Sequence, residues 1–130
     1  MKVMPLRKGH ANGREVRREE VLRQASDVIV QKRLFLNPDL RLNDVVRATG
    51  TNRTYLWDAI HSLGLGFRGY LARFRLVYFI EHAWLKEYQS LSNDDIAERC
   101  GFSSKKLLDL YLKKALGIPF ARYMEMIRRR

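Results

Sequence analysis

The chain has 130 residues and carries 25 Lys and Arg against 14 Asp and Glu, a formal charge of +11. That length suits one compact unit and excludes a large two-domain enzyme. Its 46% hydrophobic and 11% aromatic residues suffice for a packed core and exclude a wholly disordered basic tail. The longest purely apolar run, Leu76–Ile80, is far below the roughly 20 residues of a membrane span, and its position does not fit a signal peptide. The single cysteine, Cys100, has no internal disulfide partner and favours a reducing compartment. These features describe a soluble, intracellular, basic domain. Residues 1–33 hold nine positive against four negative charges, and the chain ends in Arg128-Arg129-Arg130, so both ends are basic and the middle nearly balanced. Such an excess fits a polyanion partner, because phosphates attract Lys and Arg and release condensed counterions.

Residues 1–13, with Pro5, Gly9 and Gly13, show no period and read as a flexible basic arm. From Arg14 to Leu36, the residues Leu22, Ala25, Ile29 and Leu36 keep a three-four spacing, which predicts an amphipathic helix over 14–36. It ends before Asn37-Pro38, since the residue preceding proline is pushed out of the helical region. A short helix, Asn43–Thr49, then runs into Gly50, and Asn52 is placed to cap a longer helix. Further on, Ser92 and Asp95 resemble a capping box. The helix they open, Asn93–Cys100, runs into Gly101, with Ser103 placed to cap the next one. No sustained strand alternation occurs, so the fold class is all-α.

The two halves repeat with an offset of about 52 residues. Leu42-Asn43-Asp44-Val45-Val46 lines up with Asn93-Asp94-Asp95-Ile96-Ala97, Gly50 with Gly101, and Leu56 and Ile60 with Leu108 and Leu112. Gly64-Leu65-Gly66-Phe67-Arg68-Gly69-Tyr70 matches Gly117-Ile118-Pro119-Phe120-Ala121-Arg122-Tyr123 through a shared Gly-x-x-Phe-x-x-Tyr. Short helix, glycine turn, capping residue and longer helix, occurring twice, is tandem helix-turn-helix grammar. The units span 40–66 and 91–127, and residues 14–130 form a single domain.

On these residues the chain resembles the DNA-binding domain of AraC/XylS-type transcription regulators. The resemblance runs from about Leu40 to Tyr123 and is most specific at Asp95–Ser104 and Lys113–Tyr123. Gly50–Leu56 and Arg73-Phe74-Arg75-Leu76 add to it. It implies two helix-turn-helix units joined by one long helix over 67–87, with both recognition helices entering successive major-groove segments, roughly 34 Å apart. By position, the first reader presents Asn52, Arg53, Thr54, Trp57, Asp58 and His61, and the second Ser104, Lys105, Lys106, Asp109 and Lys113. Arg47 and the basic termini join Arg53 and the lysines as phosphate contacts. Leu56, Ile60, Leu108 and Leu112 recur four apart and point inward. The implied function is sequence-specific binding of double-stranded DNA in transcription regulation, in a bacterial cytoplasm and on the nucleoid while bound, with no cofactor. The usual sensing domain is missing from this sequence, as expected of a stand-alone member or the output part of a longer protein.

Two departures from the family pattern leave alternatives open. Asp58 and Leu110 stand where a basic residue is usual, with Asp109 beside the second. A carboxylate there can accept from a cytosine amino group, serve as a cap or ion-pair partner to a neighbour such as Arg53 or Lys105, or mark weakened DNA binding. The connecting helix is apolar around most of its circumference, so it is buried on more than one side. Either the N-terminal helix covers it, or Val77, Tyr78, Ile80 and Trp84 form a surface for a homodimer or partner protein. Trp57 stacks on a base or sugar, or packs against the arm. The rival reading of the whole chain is therefore a protein-interaction module that keeps the fold with weakened DNA binding. RNA binding ranks third, for want of an aromatic stacking platform.

His10, His61, His82 and Cys100 lack metal-ligand spacing, and Cys100 reads as a small buried thiol. No phosphate-cradling loop, nucleophile elbow or paired-carboxylate motif occurs, no small-molecule site is evident, and the chain reads as a non-enzyme.

Overall fold

The structure is a computed structural model that describes residues 12–129. The arm expected over 1–13 lies outside the described residues except for Asn12 and Gly13. Asn12 accepts the Glu15 amide at 2.8 Å and caps α1, Gly13–Gln31, so Gly13 is helical. α1 does not reach Leu36 as the periodicity predicts. Arg33 adopts a left-handed conformation (φ +52°) and turns the chain into a 3-10 turn, Leu34–Leu36. Long-range contacts hold this bend. Phe35 is buried, its ring edge-on to Tyr78 at 5.6 Å, and the Phe35 and Asn37 carbonyls accept from Arg75 at 2.7 and 2.8 Å. Local spacing carries none of that information, which is why the helical period runs on past the bend.

The first unit pairs α2, Leu42–Thr49, with α3, Arg53–His61. Between them Gly50 takes the left-handed conformation that closes the turn (φ +72°), a region costly for residues with a Cβ. Asn52 caps α3 as expected, accepting from Thr54 and Tyr55 amides. Val21, Ala25 and Ile29 of α1 bury against Val45, Leu56, Ala59 and Ile60, so α1 packs on α3 and α2. The N-terminal segment also shares this core with the connecting helix, through Tyr70 and Leu71, a 2.9 Å hydrogen bond between the Ser26 and Tyr70 hydroxyls, and Phe35 against Phe74 and Tyr78, while Val77 and Ile80 of that helix stay exposed.

That connecting helix, α4, spans Phe67–His82 and stops short of the predicted residue 87. The chain turns at buried Ala83, and Leu85 N–H closes onto the His82 carbonyl at 3.0 Å. A one-turn helix, α5 (Lys86–Gln89), follows and buries Tyr88. The apolar girth of α4 has a simple cause: it serves two cores. Tyr70 and Leu71 enter the first, while Ala72, Leu76 and Phe79 enter the second.

In the second unit, α6 (Asn93–Arg99) is capped by Ser92, which accepts the Asp95 amide at 3.1 Å. α7 (Lys105–Leu116) is capped by Ser104 rather than Ser103, the hydroxyl accepting from Leu107 N–H at 3.2 Å. α8, Phe120–Arg128, completes the unit. Leu108, Leu112, Phe120 and Met124 join Ile96, Ala97 and buried Cys100 in its core. The fold is thus an all-α tandem helix-turn-helix domain, with no strand among the described residues.

The units are locked together at Gly101. Its φ of +90° matches the turn role of Gly50, but a Cβ there would overlap the Phe35 carbonyl oxygen and sit 2.9 Å from Leu36 Cα. The second turn therefore packs directly on the backbone of the 3-10 turn, and Arg75 ties that turn to α4. The contact ties the second unit's turn to the segment that leads into the first unit.

Candidate nucleic-acid interface

Leu56, Ala59 and Ile60 are buried, while Arg53, Thr54, Trp57 and His61 are exposed, Thr54 and His61 on the side of α3 away from the core and Arg53 and Trp57 flanking it. Trp57 stacks on His61, ring centroids 3.8 Å apart at 20°, and His61 Nδ1 lies 2.9 Å from the Trp57 carbonyl. Both rings are exposed and together make an aromatic plate.

Asp58 lies toward α1. Its carboxylate accepts from Arg14 Nη2 at 2.8 Å and from Arg18 Nε and Nη2 at 2.9 and 3.1 Å. The partners named from the sequence, Arg53 and Lys105, are thereby corrected. Hydrogen bonds from Arg18, then Arg14, hold the Asp58 carboxyl well below the usual carboxylate range. Arg17 adds a guanidinium 4.2 Å from the Tyr55 ring centroid. Sequence reasoning missed Arg14, Arg17 and Arg18. Their i, i+3, i+4 spacing puts them on one helix face, a legible signal, but nothing local says that this face meets α3. Arg53 Nε donates to Asn43 Oδ1 at 2.8 Å, and Arg47 pairs with Asp44 on α2.

On α7, Leu108 and Leu112 are fully buried, which turns Lys106, Leu110 and Lys113 outward, with Lys105 at the helix start. The ion pairs among the described residues are all made by arginine, so these lysines have no carboxylate partner there. Asp109 departs from its assigned place among the readers. Its Oδ1 accepts the Phe120 amide at 2.8 Å and closes the start of α8, where Pro119 has no capping side chain. Ser104 and Asn52 likewise commit their side-chain oxygens to helix starts.

Of the surface assigned to the connecting segment, Val77, Ile80 and Trp84 are exposed, whereas Tyr78 is half-buried and stacks on His82 at 3.8 Å. Tyr78 is a packing residue. Trp84 lies beyond α4, in the turn before α5. Between α1 and α4 there is a largely apolar cleft of about 520 Å³, lined in part by Leu22, Val30, Phe74 and Val77. Its size is that of a small-ligand pocket, and nothing in the local sequence pattern signals it. Burial pushes the Cys100 thiol up to about 12, which makes it a poor nucleophile. No helix of the described residues is long and apolar enough to cross a membrane.

Neither a protein-family model nor a curated protein matches the chain. Among solved structures it is similar to the C-terminal domain of AraT, a response regulator from Geobacillus stearothermophilus. The two share 26% sequence identity and a TM-score of 0.59, over 84% of this chain and 83% of that one. The comparison joins the fold to that of a regulator's C-terminal domain.

Proposed function

We propose that this chain is an AraC/XylS-type DNA-binding domain that reads double-stranded DNA through α3 and α7 and regulates transcription. The observation that carries the reading is the electrostatic state of α7: Lys105, Lys106 and Lys113 stand without a carboxylate partner among the described residues, on a helix whose other side enters the core, in a chain of charge +11. Similarity to the C-terminal domain of a response regulator supports it. In this reading α7 supplies phosphate and guanine-edge contacts. α3 contributes Arg53, Thr54 and the Trp57–His61 plate, flanked by Arg14 and Arg17. Asp58 and Asp109 belong to the scaffold. No step calls for catalysis or a cofactor, and the cytoplasm is where such a domain would work.

Fluorescence anisotropy on random-sequence duplex DNA across a salt series tests this. Binding is expected to weaken by orders of magnitude between about 50 and 200 mM salt, as for a protein making several phosphate contacts. The Lys105→Glu/Lys106→Glu variant should bind at least about a hundredfold more weakly at the lower salt. Absence of binding at 50 mM salt would overturn the proposal. It would favour the second reading, an interaction module, for which exposed Leu110, Val77, Ile80 and Trp84 speak.

A further inference from the structure

Between the two units lies a groove of about 660 Å³ whose walls are the starts of α2 and α7 and whose floor is the first half of α4. Arg41, Arg68, Arg75, Ser103 and Leu107 line it, as does Asp39. Asn43, two residues after Arg41, accepts from Arg53 at the start of α3. The groove therefore borders the start of α7 directly and the start of α3 through α2, to which Arg53 is tied. If α3 and α7 enter successive major-groove segments, the sugar-phosphate strand between the segments must cross this surface.

The charges in the groove are unbalanced in a way that suits such a strand. Arg75 is only 8% exposed, and it donates through Nε and Nη2 to the Phe35 and Asn37 carbonyls. No carboxylate pairs with it among the described residues, although its guanidinium stays charged at any physiological pH. A buried cation answered only by carbonyl dipoles keeps a net positive field on the side facing the groove. Arg41 and Arg68 are exposed at the rim, also without ion pairs among the described residues. Asp39 opposes them as the one carboxylate lining the groove among the described residues. Three guanidinium groups against one carboxylate leave an anion-attracting cleft between the two units.

We infer that this groove seats backbone phosphate of the DNA strand bridging the two major-groove segments, with Arg41 and Arg68 as direct contacts and Arg75 as a fixed charge behind them. The inference rests on the DNA reading and adds a third, sequence-independent contact region to it. Phosphate held here would set the register of both readers without carrying base information.

The test is the salt dependence of binding of the full chain to random-sequence 30-base-pair duplex. Arg41→Gln/Arg68→Gln should weaken binding about tenfold near 100 mM salt and lower the salt slope by about two, one for each phosphate no longer neutralised. A charge-matched control, Arg73→Gln/Lys86→Gln, removes two exposed cations outside the groove that, like Arg41 and Arg68, make no ion pair among the described residues, and should change affinity by less than about threefold. Asp39→Asn should tighten binding about twofold to threefold, a direction that misfolding does not produce. Equal effects of the groove and control pairs, or an unchanged slope in the groove variant while Lys105→Glu/Lys106→Glu abolishes binding, would overturn the phosphate seat and leave the DNA reading standing. Failure of the unaltered protein to bind at 50 mM salt would remove both.

Discussion

The two helix-turn-helix units share a sequence repeat and a backbone plan, yet they use charge in opposite ways. In the first, the cations are largely engaged inside the protein: Arg14 and Arg18 on Asp58, Arg47 on Asp44, Arg53 on Asn43. In the second, the lysines of α7 are without ion pairs among the described residues, and the one carboxylate on the helix, Asp109, points into the scaffold. The first unit is braced from outside by a whole extra helix, the second from within by α8. Repetition of a fold therefore does not repeat a function: in the proposed complex, α7 supplies most of the electrostatic attraction and α3 a flatter, aromatic and shape-dependent contact.

The sharpest way to break the comparison is at the turn glycines, which occupy the same repeat position. Both have positive φ, but a Cβ on Gly50 meets nothing within 4 Å, whereas one on Gly101 runs into the 3-10 turn. Gly50→Ala is expected to cost about 1 kcal/mol, the left-handed penalty alone. Gly101→Ala should cost about 3 kcal/mol or more, because backbone strain is joined by a clash with backbone that cannot move aside. Urea denaturation of the two variants checks this, and equal destabilisation would mean that the units are not locked at Gly101.

A smaller effect is expected at the brace of the second unit. Asp109→Ala removes the acceptor for the Phe120 amide and should lower stability by about 1 kcal/mol, as removal of an N-cap side chain does. Accelerated amide exchange confined to α8 would locate the effect. On DNA, Lys106→Ala should reduce the salt slope by about one, while Arg47→Ala, whose charge is already paired with Asp44, should reduce it by less. A larger effect at Arg47 would reverse the proposed division of labour.

Asp58→Asn tests the brace of the first unit. It frees Arg14 and Arg18 and removes a carboxylate beside α3, so DNA affinity should rise a few-fold while α1 exchanges its amides faster. The same ion pair predicts a pH response of defined sign. Because the folded carboxyl titrates below its unfolded value of about 3.9, its stabilising contribution is complete above that pH and is lost as pH falls further. Between pH 6 and 8 it should contribute no change in α1 exchange; a loss of protection in that window would count against the assigned ion pair.

Much of the architecture is readable in the sequence because its signals are local. The Gly50 and Gly101 turns, the Asn52 and Ser92 caps, and the inward rows Leu56–Ile60 and Leu108–Leu112 follow from backbone conformation and helical period. The misreadings share a different cause. Apolar spacing carries α1 to Leu36 and the family resemblance carries α4 to residue 87, whereas the chain turns earlier, at bends where Phe35 and Ala83 are buried. Asp58 and Asp109 group with the readers when angular position is judged from the helix alone, but their partners come from α1 and α8, 40 and 11 residues away.

The sequence by itself determined the all-α class, the duplicated unit and the basic balance, since periodicity, glycine placement and charge are properties of neighbouring residues. Tertiary structure alone decided which charges remain available. Whether a guanidinium or carboxylate faces solvent, a partner or a groove depends on which helix packs beside it, and that choice is made by burial across the whole chain.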